Sequence, residues 1–339
     1  MILIDALYIN SFGGKTILEL FFRKLINSNI EYHFLIDRRL KSDFTQNLKS
    51  DYYTITDATH VTRKIFYLNN INRFSSILCL ANIPPPIYTT LKSTIFFHNC
   101  LLLNPLNQKV SIKNRIINFL KFQYIKQYNQ NDYHWLVQTQ LVNKLIKESL
   151  NINPAQISTY PVFNEFIEVN HAKKNLNEFV YVSSIVSHKN HKRLIKAFIE
   201  AANNTDKEIK LHLTLDKVEL SKYVFPKNLK IEFHGTLTIN AVNELHNSCE
   251  FAIYPSLVES FGLPLIEATN HGCKVIASDL PYVHEIIKPS LTFDPYSVYS
   301  ISNSILKAIE TDNLPETKVL VENKLDNFID FIISQDVQK

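Results

Sequence analysis

The chain contains 339 residues, 45% of them apolar and 20% charged, so it is long enough for two α/β domains that each bury a core. Its four cysteines form no Cys-x-x-Cys pair, which argues against a disulfide framework or a zinc site and favours a reducing cytoplasm. The net charge of +4 divides unevenly, with 18 Lys and Arg against 10 Asp and Glu in residues 1–165. A basic first half and an acidic second half suggest different partners, and the basic residues are too scattered to favour nucleic acid.

The first half of the chain alternates short apolar runs with segments of helical period. Its first residues are typical of a strand and lack the basic and long apolar regions of a secretory signal, and no apolar run is long enough to span a bilayer. The alternation predicts a parallel sheet covered on both faces. The predicted strands are Ile2–Ile9, Tyr32–Asp37, Ser76–Leu80, Thr94–His98 and Trp135–Gln138, and the predicted helices include Thr16–Asn27 and His60–Ile71.

The second half repeats this alternation and predicts another doubly wound domain. We therefore expect an α/β protein of two Rossmann-like domains, residues 1–164 and 165–312, whose ligand-binding loops face a central cleft. Residues 313–339 contain a predicted helix at Glu316–Ile333, for which the sequence indicates no docking partner. The predicted strands of the second domain are Phe179–Val182, Lys210–Leu213, Lys230–Phe233, Phe251–Tyr254, Lys274–Ile276 and Leu291–Phe293, with helices at His191–Ala202 and Asn240–Asn247.

The most informative stretch runs from Tyr254 to Ala268, where a strand, a loop and a helix are predicted in succession. Pro264 suits the first turn of a helix because its missing N–H is not needed there. The backbone amides around Gly262 and Leu263 would then point out of a helix N-terminus. Such a position favours a phosphate group.

Two acidic residues accompany this predicted helix N-terminus. Glu267 is expected in the first helical turn, where its carboxylate could accept two hydrogen bonds from a diol such as that of a ribose. Glu259, in the preceding loop, could do the same for a sugar ring. The alternative is that both acids only complement the helix dipole.

The segment Tyr254–Ala268 resembles the E-x7-E signature of retaining glycosyltransferases with the GT-B fold, a family 4-like group that includes bacterial O-antigen, capsule and lipopolysaccharide sugar transferases. Phe233–Gly235 upstream, and Gly272–Asp279 with Glu285 downstream, match as well, so the similarity covers most of residues 178–295. The resemblance implies transfer of a sugar from a nucleotide-diphosphate sugar to a hydroxyl of a glycan or lipid-linked glycan, with retention, in surface polysaccharide synthesis.

The resemblance also implies roles for individual residues. Glu267 would hold the ribose hydroxyls of the donor, and Glu259 would contact the donor sugar near the reacting centre. The backbone of Phe261, Gly262 and Leu263 would meet the sugar and the pyrophosphate.

A second element of the resemblance lies in the loop after the first strand of the second domain. Lys189 could neutralise a leaving diphosphate as negative charge develops on it, although a solvated loop lysine is the simpler interpretation. The family carries a glycine and an arginine in this loop. Here Ser183 and Ser184 occupy those two positions. Lys189 is therefore the main cation expected in the donor-binding site, beside Ser184.

The first domain has a glycine-containing loop, Ser11–Thr16, that resembles the first loop of the same family. A P-loop is excluded because isoleucine fills the first glycine position of that motif. Gly13 and Gly14 would let substrates approach the backbone, or would simply make a tight turn. His98 closes a predicted strand, and the family has a histidine close to the donor sugar at the end of an equivalent strand.

No Asp-x-Asp triplet occurs in the chain, so no dicarboxylate for a metal–diphosphate complex is predicted. We expect a metal-independent enzyme without a cofactor, which takes the nucleotide-diphosphate sugar as co-substrate mainly in its second domain. Domain closure would then exclude water. A nucleotide-sugar epimerase and a non-catalytic sugar-nucleotide-binding protein are the alternatives, and the serine at the arginine position favours the latter.

Residues 101–130 contain five basic residues and no acidic ones, interleaved with apolar residues. The apolar positions occupy most of the helical circumference, so a domain helix buried on one side, with snorkelling lysines, remains one interpretation. The other is reversible attachment to the anionic inner face of the cytoplasmic membrane, because each basic residue near such a surface contributes about 1 kcal/mol.

Overall fold

The computed structural model describes residues 1–10, 12–26, 30–40, 50–103, 112–164, 174–216 and 223–337. The chain divides into two compact units. Unit 1 comprises residues 1–165 together with 322–339, and unit 2 comprises residues 166–321.

Within the described residues, unit 1 contains a seven-stranded parallel sheet with the strand order β3-β2-β1-β4-β5-β6-β7. Three neighbouring inner strands, β2, β1 and β4, are buried along their whole length, as expected for a parallel sheet covered on both faces. The strands are β1 (Ile2–Ala6), β2 (Tyr32–Asp37), β3 (Tyr53–Thr56), β4 (Ser76–Cys79), β5 (Lys92–Phe96), β6 (His134–Val137) and β7 (Ile157–Thr159).

Two helices of unit 1 begin after residues whose side chains satisfy free backbone amides. Thr59 and Thr62 form a reciprocal capping box at the start of α2. Thr139 accepts a hydrogen bond from Val142 N–H at the start of α4. Among the described residues of unit 1, the α-helices before the C-terminal one are α1 (Phe12–Ile26), α2 (His60–Asn70), α3 (Ile112–Tyr128) and α4 (Gln140–Leu150).

Unit 2 contains a six-stranded parallel sheet with the order β10-β9-β8-β11-β12-β14 in the part of the chain that is described. A two-stranded antiparallel pair, β13 with β15, lies apart from it. The strands are β8 (Asn175–Tyr181), β9 (Ile209–Leu213), β10 (Leu229–Phe233), β11 (Cys249–Tyr254), β12 (Lys274–Ser278), β13 (Ile287–Lys288), β14 (Leu291–Phe293) and β15 (Lys318–Val319), and the helices are α5 (His191–Asn203), α6 (Ile239–Ser248), α7 (Leu263–Asn270), α8 (Pro281–Ile286) and α9 (Val298–Glu310).

The C-terminal helix, α10 (Leu325–Val337), returns to unit 1. Its Phe328 is fully buried, and the ring lies 4.5 Å from that of Phe21 and 5.3 Å from that of Phe96. The last helix of the chain is therefore part of the unit 1 core, a docking that the sequence did not indicate.

The prediction of a helix over Glu316–Ile333 is wrong in its first half. Lys318 and Val319 form β15 by pairing with β13, so the chain is extended there, and α10 begins only at Leu325. Asn323 fixes this start, because its side-chain oxygen accepts a hydrogen bond from Leu325 N–H at 3.2 Å while its amide donates to Phe163 C=O at 2.8 Å. Tertiary pairing therefore overrides the local helical pattern.

The interior of unit 1 holds a buried charged group. The guanidinium of Arg63 on α2 and the phenol of Tyr67 both donate to the carboxylate of Asp5 on β1, at 2.8 and 2.6 Å. Arg63 and Asp5 are each 1% exposed.

In the parts of the chain that the structure describes, no helix is both long enough and apolar enough to cross a membrane.

Candidate functional site

Lys189 and Glu259 meet at the carboxyl end of the unit 2 sheet. Lys189 lies in the short 3₁₀ turn Ser187–Lys189 after β8, and Glu259 lies in the loop after β11. The two strands are parallel neighbours, so their following loops emerge at the same edge. The ammonium is 2.6 Å from the carboxylate, and each side chain is 13% exposed.

Hydrogen bonds tie the two loops together beneath this ion pair. The phenol of Tyr181 donates to Lys189 C=O at 3.0 Å and lies 2.9 Å from the Ser256 hydroxyl. Leu257 N–H donates to His188 C=O at 2.8 Å. These contacts fix the backbone on both sides of the ion pair, so the two charged side chains are held next to each other.

Tyr254, at the end of β11, lies under the lysine and was not among the predicted site residues. Its hydroxyl is 3.4 Å from Lys189 Nζ, which is also 5.5 Å from the centre of its ring. Burial, and then the nearby Glu259 charge, raise the pKa of Tyr254 well above its usual value, so the phenol stays neutral. The signal that could have identified it is its place as the last residue of a strand at the ligand-binding edge.

Asn190 is a second residue that the prediction did not assign to the site. Its backbone is left-handed, with φ of 62°, and its buried side chain donates to Pro255 C=O at 3.2 Å and to Pro295 C=O at 2.7 Å. It therefore joins three loops at the carboxyl edge of the sheet. An asparagine directly before a predicted helix was the available signal.

The helix α7 begins as predicted, with Pro264 in its first turn and Gly262 as the residue before it. Gly262 has φ of +92°, and a Cβ atom there would lie 3.1 Å from Leu265 Cδ1. The backbone conformation therefore favours glycine strongly, and a side chain would also require Leu265 to shift slightly. Phe261 is 3% exposed and anchors the loop, whereas Leu263 is half-buried.

Glu267 lies in the second turn of α7, not in the first, because the helix begins at Leu263. Side chains on a helix lean toward its N-terminus, so the carboxylate still covers the turn that begins at Gly262. Burial raises the pKa of Glu267 to about 7. The group is therefore poised between its neutral and ionised forms near physiological pH.

The loop after β8 carries serines where a cation was expected from the resemblance. Ser183 N–H donates to the Thr214 hydroxyl at 2.9 Å, and its own hydroxyl lies 2.8 Å from His191 Nε2. The carbonyl of Ser184 accepts a hydrogen bond from Val186 N–H at 3.0 Å. The loop is thus closed by local hydrogen bonds, and Lys189 supplies its positive charge beside Glu259.

His98 of unit 1 follows β5 and is held by Asn82. The Asn82 side-chain oxygen accepts a hydrogen bond from His98 N–H at 2.6 Å, so its amide nitrogen faces His98 Nε2 at 2.9 Å and donates to it. The imidazole proton is therefore on Nδ1, a buried atom with no hydrogen-bond partner among the described residues. Burial lowers the pKa of His98 to about 4, so the ring is neutral.

The glycine loop of unit 1 differs from its prediction. Gly13 and Gly14 lie inside the first turn of α1, which begins at Phe12 and not at Thr16. A Cβ atom on Gly14 would lie 3.9 Å from His98 Cε1, so this glycine and the histidine are neighbours. The structure thus pairs Lys189 with Glu259 in unit 2 and places Gly14 beside His98 in unit 1.

Two doubly wound α/β units, with charged and glycine-containing loops at the carboxyl edges of parallel sheets, are the architecture of a nucleotide-binding GT-B protein. Residues 162–324 match the family profile described as "Glycosyl transferases group 1". The match covers just under half of the chain, and this part of the chain is similar to the group 1 glycosyltransferases.

A mannosyltransferase is among the similar proteins. The O-antigen chain mannosyltransferase RfbU of Salmonella typhimurium is 28% identical over 166 residues, which are 45% of this chain and 44% of that protein. This chain therefore spans less than half of the length of that relative.

Solved structures show the same fold at low sequence identity. WaaG, a glycosyltransferase of lipopolysaccharide biosynthesis, superposes with a TM-score of 0.62 at 12% identity, over 92% of this chain and 91% of that one. Anabaena Alr3699/HepE, solved with UDP and glucose, gives a TM-score of 0.66 at 11% identity, over 99% and 97%. The predicted GT-B fold is confirmed.

Proposed function

We propose that this protein transfers a sugar from a nucleotide-diphosphate sugar to a hydroxyl of a glycan or lipid-linked glycan in the synthesis of a bacterial surface polysaccharide. The observation that carries the proposal is the largely buried Lys189–Glu259 pair, 2.6 Å apart, whose glutamate lies in the loop that leads into α7. A cation, a carboxylate and free helix amides at one edge suit a donor that has a diphosphate on one side and a sugar on the other.

Each group has a role in this proposal. Lys189 has three N–H donors, two of which face Glu259 and Tyr254, and the third can donate to the diphosphate. The backbone amides of Gly262 and Leu263 take the phosphate oxygens, because Pro264 has no N–H and Leu265 N–H donates to Gly262 C=O at 2.9 Å. Glu259 accepts from hydroxyls of the donor sugar, and Glu267 accepts from the ribose diol once it is ionised.

We infer transfer with retention through attack on the face that the leaving group occupies. The acceptor oxygen bonds to the anomeric carbon as the bond from that carbon to the phosphate oxygen breaks. The acceptor proton passes to the departing phosphate, and Lys189 and the α7 amides stabilise the negative charge that remains. His98 of unit 1, with a proton on Nδ1, is proposed as a donor to a sugar hydroxyl.

The names of the similar proteins narrow the choice of donor. RfbU is described as a mannosyltransferase and HepE was solved with UDP and glucose, so a nucleotide-activated hexose is the first class to test. A panel of GDP- and UDP-hexoses should raise the Tm of the full chain in proportion to occupancy. A panel in which no nucleotide sugar shifts the Tm at millimolar concentration would contradict the proposal.

Two rival functions remain for the same fold. A nucleotide-sugar epimerase would change the donor without an acceptor, whereas a transferase releases its nucleoside diphosphate in proportion to acceptor. A non-catalytic binding protein would bind the donor and release nothing. Ser184 favours the latter, and the Lys189–Glu259 pair favours catalysis because a charged group is held where the leaving group would lie.

We also propose that α3 binds the anionic face of the cytoplasmic membrane, where a lipid-linked acceptor would be found. Most of the helix is exposed, and its buried residue is Ile125. Residues 104–111, which include Lys109, lie outside the described residues. The exposed apolar side chains are Ile112, Ile116, Ile117 and Leu120, and the exposed basic ones include Lys113, Lys121 and Lys126. This arrangement favours the membrane interpretation over a helix buried on one side.

A further inference from the structure

A cluster of histidine and acidic side chains lies at the β10 edge of the unit 2 sheet, on strands away from the loop that carries Glu259. His212 of β9 pairs in register with Glu232 of β10, and His234 follows β10 directly. Residues two apart on a strand face the same side, so Glu232 and His234 share the face of His212. Three metal-ligating side chains from two neighbouring strands therefore converge.

The donor atoms of these three side chains have the spacing of a transition-metal site. His212 Nδ1 is 2.9 Å from His234 Nε2 and 3.5 Å from Glu232 Oε2, and the last two atoms are 3.9 Å apart. A point equidistant from three such atoms lies about 2.0 Å from each, which is the bond length of Zn²⁺ to imidazole nitrogen and carboxylate oxygen. Small shifts of the His212, His234 and Glu232 side chains would bring all three donor atoms to bonding distance of one ion.

A fourth residue orients the central imidazole. Glu178 of β8 lies 3.0 Å from His212 Nε2 and accepts a hydrogen bond from it. This contact puts the proton on Nε2 and leaves the Nδ1 lone pair directed at His234 and Glu232. A carboxylate that holds the distal nitrogen of a ligating histidine is the usual outer contact of a protein zinc site.

Charge and access also suit a cation. Lys210 lies 3.0 Å from Glu232 and 3.7 Å from Glu178, so two carboxylates face one ammonium and leave the cluster negative when the imidazoles are neutral. His212 is 5% exposed, whereas His234 is 25% and Glu232 is 46% exposed, which gives an ion a path from solvent. An open fourth position would hold water.

We propose that His212, Glu232 and His234 bind one Zn²⁺ or a similar divalent transition metal, with Glu178 as the outer hydrogen-bond acceptor. A second trio, Glu178, His212 and Cys249, uses the same imidazole and so competes with the first. The Glu232 trio is the better site because Cys249 is fully buried. The ion would clamp the edge strand β10 to β9.

Binding of Zn²⁺ to the full chain, without an affinity tag and stripped with a chelator, tests the proposal by isothermal titration calorimetry. We expect saturation at one ion per chain. His234→Gln and Glu232→Gln should each weaken binding at least about tenfold, and Glu178→Gln by about 10- to 100-fold. His284→Gln is the matched control, since its imidazole contacts a carboxylate, Asp279, at 2.6 Å outside the cluster, and it should bind Zn²⁺ like wild type.

Co²⁺ gives a direct spectroscopic readout that does not depend on the variants. A four-coordinate nitrogen and oxygen site should produce visible ligand-field bands, and Zn²⁺ should abolish them. Failure of Zn²⁺ to saturate the wild-type chain below millimolar concentration would overturn the proposal, as would the absence of these bands at saturating Co²⁺. Wild-type affinity in folded His234→Gln and Glu232→Gln variants would overturn it as well.

Discussion

The ammonium of Lys189 and the carboxylate of Glu259 lie 2.6 Å apart with only 13% of each side chain exposed. Removing one partner of a buried pair leaves the other charge without compensation, at a cost of about 3–5 kcal/mol for a fully buried pair. An alanine at either position therefore risks a loss of stability that resembles a loss of catalysis. Glu259→Gln keeps the shape of the side chain and is the necessary companion variant.

The two acids of the candidate site should have separable kinetic effects. We expect Glu267→Ala mainly to weaken donor binding, because it removes the acceptor of the ribose diol, and Glu259→Ala mainly to lower kcat. Each loss of a charged hydrogen-bond partner should cost about 1.5–3 kcal/mol, or roughly ten- to a hundredfold. Steady-state kinetics with each nucleotide sugar, on variants whose unfolding is unchanged, measures both effects. Wild-type constants in both folded variants would refute the site.

The buried carboxyl of Glu267 should make stability depend on pH. Its pKa in the folded chain, about 7, is above that of an unfolded glutamate, so the folded state holds the proton more tightly. The free energy of unfolding should therefore fall as pH rises from about 4.5 to 7 and stay low above that range. Glu267→Gln removes this loss and should be more stable than wild type by about 1–3 kcal/mol at pH 8.

Urea unfolding at several pH values measures this difference. The advantage of Glu267→Gln should shrink as pH falls toward about 4.5, where both states of the wild type are protonated. Glu316→Gln, at an exposed position, is the control and should show no such trend. An advantage that is constant with pH would show that burial does not perturb Glu267.

At the level of elements, α7 has a conformationally constrained start, whereas α3 exposes much of its surface to solvent. α7 begins after Gly262, whose φ of +92° disfavours any residue with a side chain. α3 exposes apolar residues, including Ile112 at 76% and Leu120 at 61%. A helix whose start is conformationally constrained suits a donor site, because a binding site needs rigid supporting elements. An exposed helix with apolar and basic residues suits a lipid surface.

Charge reversal on α3 should release the protein from anionic vesicles. Lys113→Glu/Lys121→Glu removes two attractive charges of about 1 kcal/mol each and adds two repulsive ones, so binding should fall by at least about tenfold. Co-sedimentation with anionic and neutral liposomes at low and high salt measures this. Lys144→Glu/Lys147→Glu makes the same charge change on exposed positions of α4 and should bind like wild type. Equal recovery with neutral and anionic vesicles would contradict the proposal.

At the scale of the whole molecule, the proposed reaction needs no metal ion: Lys189 and backbone amides stabilise the charge of the leaving phosphate, and that phosphate takes the proton of the acceptor. The chain contains no Asp-x-Asp triplet to hold a metal–diphosphate complex. Turnover should therefore survive EDTA, even if chelation strips the cluster around His212. An enzyme that is inactive after chelation and restored by Mn²⁺ equally in wild type and in Glu232→Gln would show that the phosphate site uses a metal.

Much of the fold was determined by the sequence. The alternation of buried strands and amphipathic helices predicts both sheets, because the strands of a parallel sheet are continuous apolar runs. β2 and β14 have the predicted bounds, Tyr32–Asp37 and Leu291–Phe293. The strands β3 and β7 were not predicted. They lie at sheet edges, where partial exposure gives their residues no continuous apolar run.

The sequence predicted Lys189, Glu259 and the glycine before α7 as site candidates, from their places beside predicted strands and a predicted helix and from the resemblance to the E-x7-E signature. Only the tertiary structure showed that the lysine and the carboxylate pair directly, that Tyr254 lies beneath them, and that Gly14 lies against His98. It also placed α10 in the core of unit 1 and brought His212 to His234. These contacts join residues far apart in the chain, and no local pattern encodes which distant side chain will fill a given space.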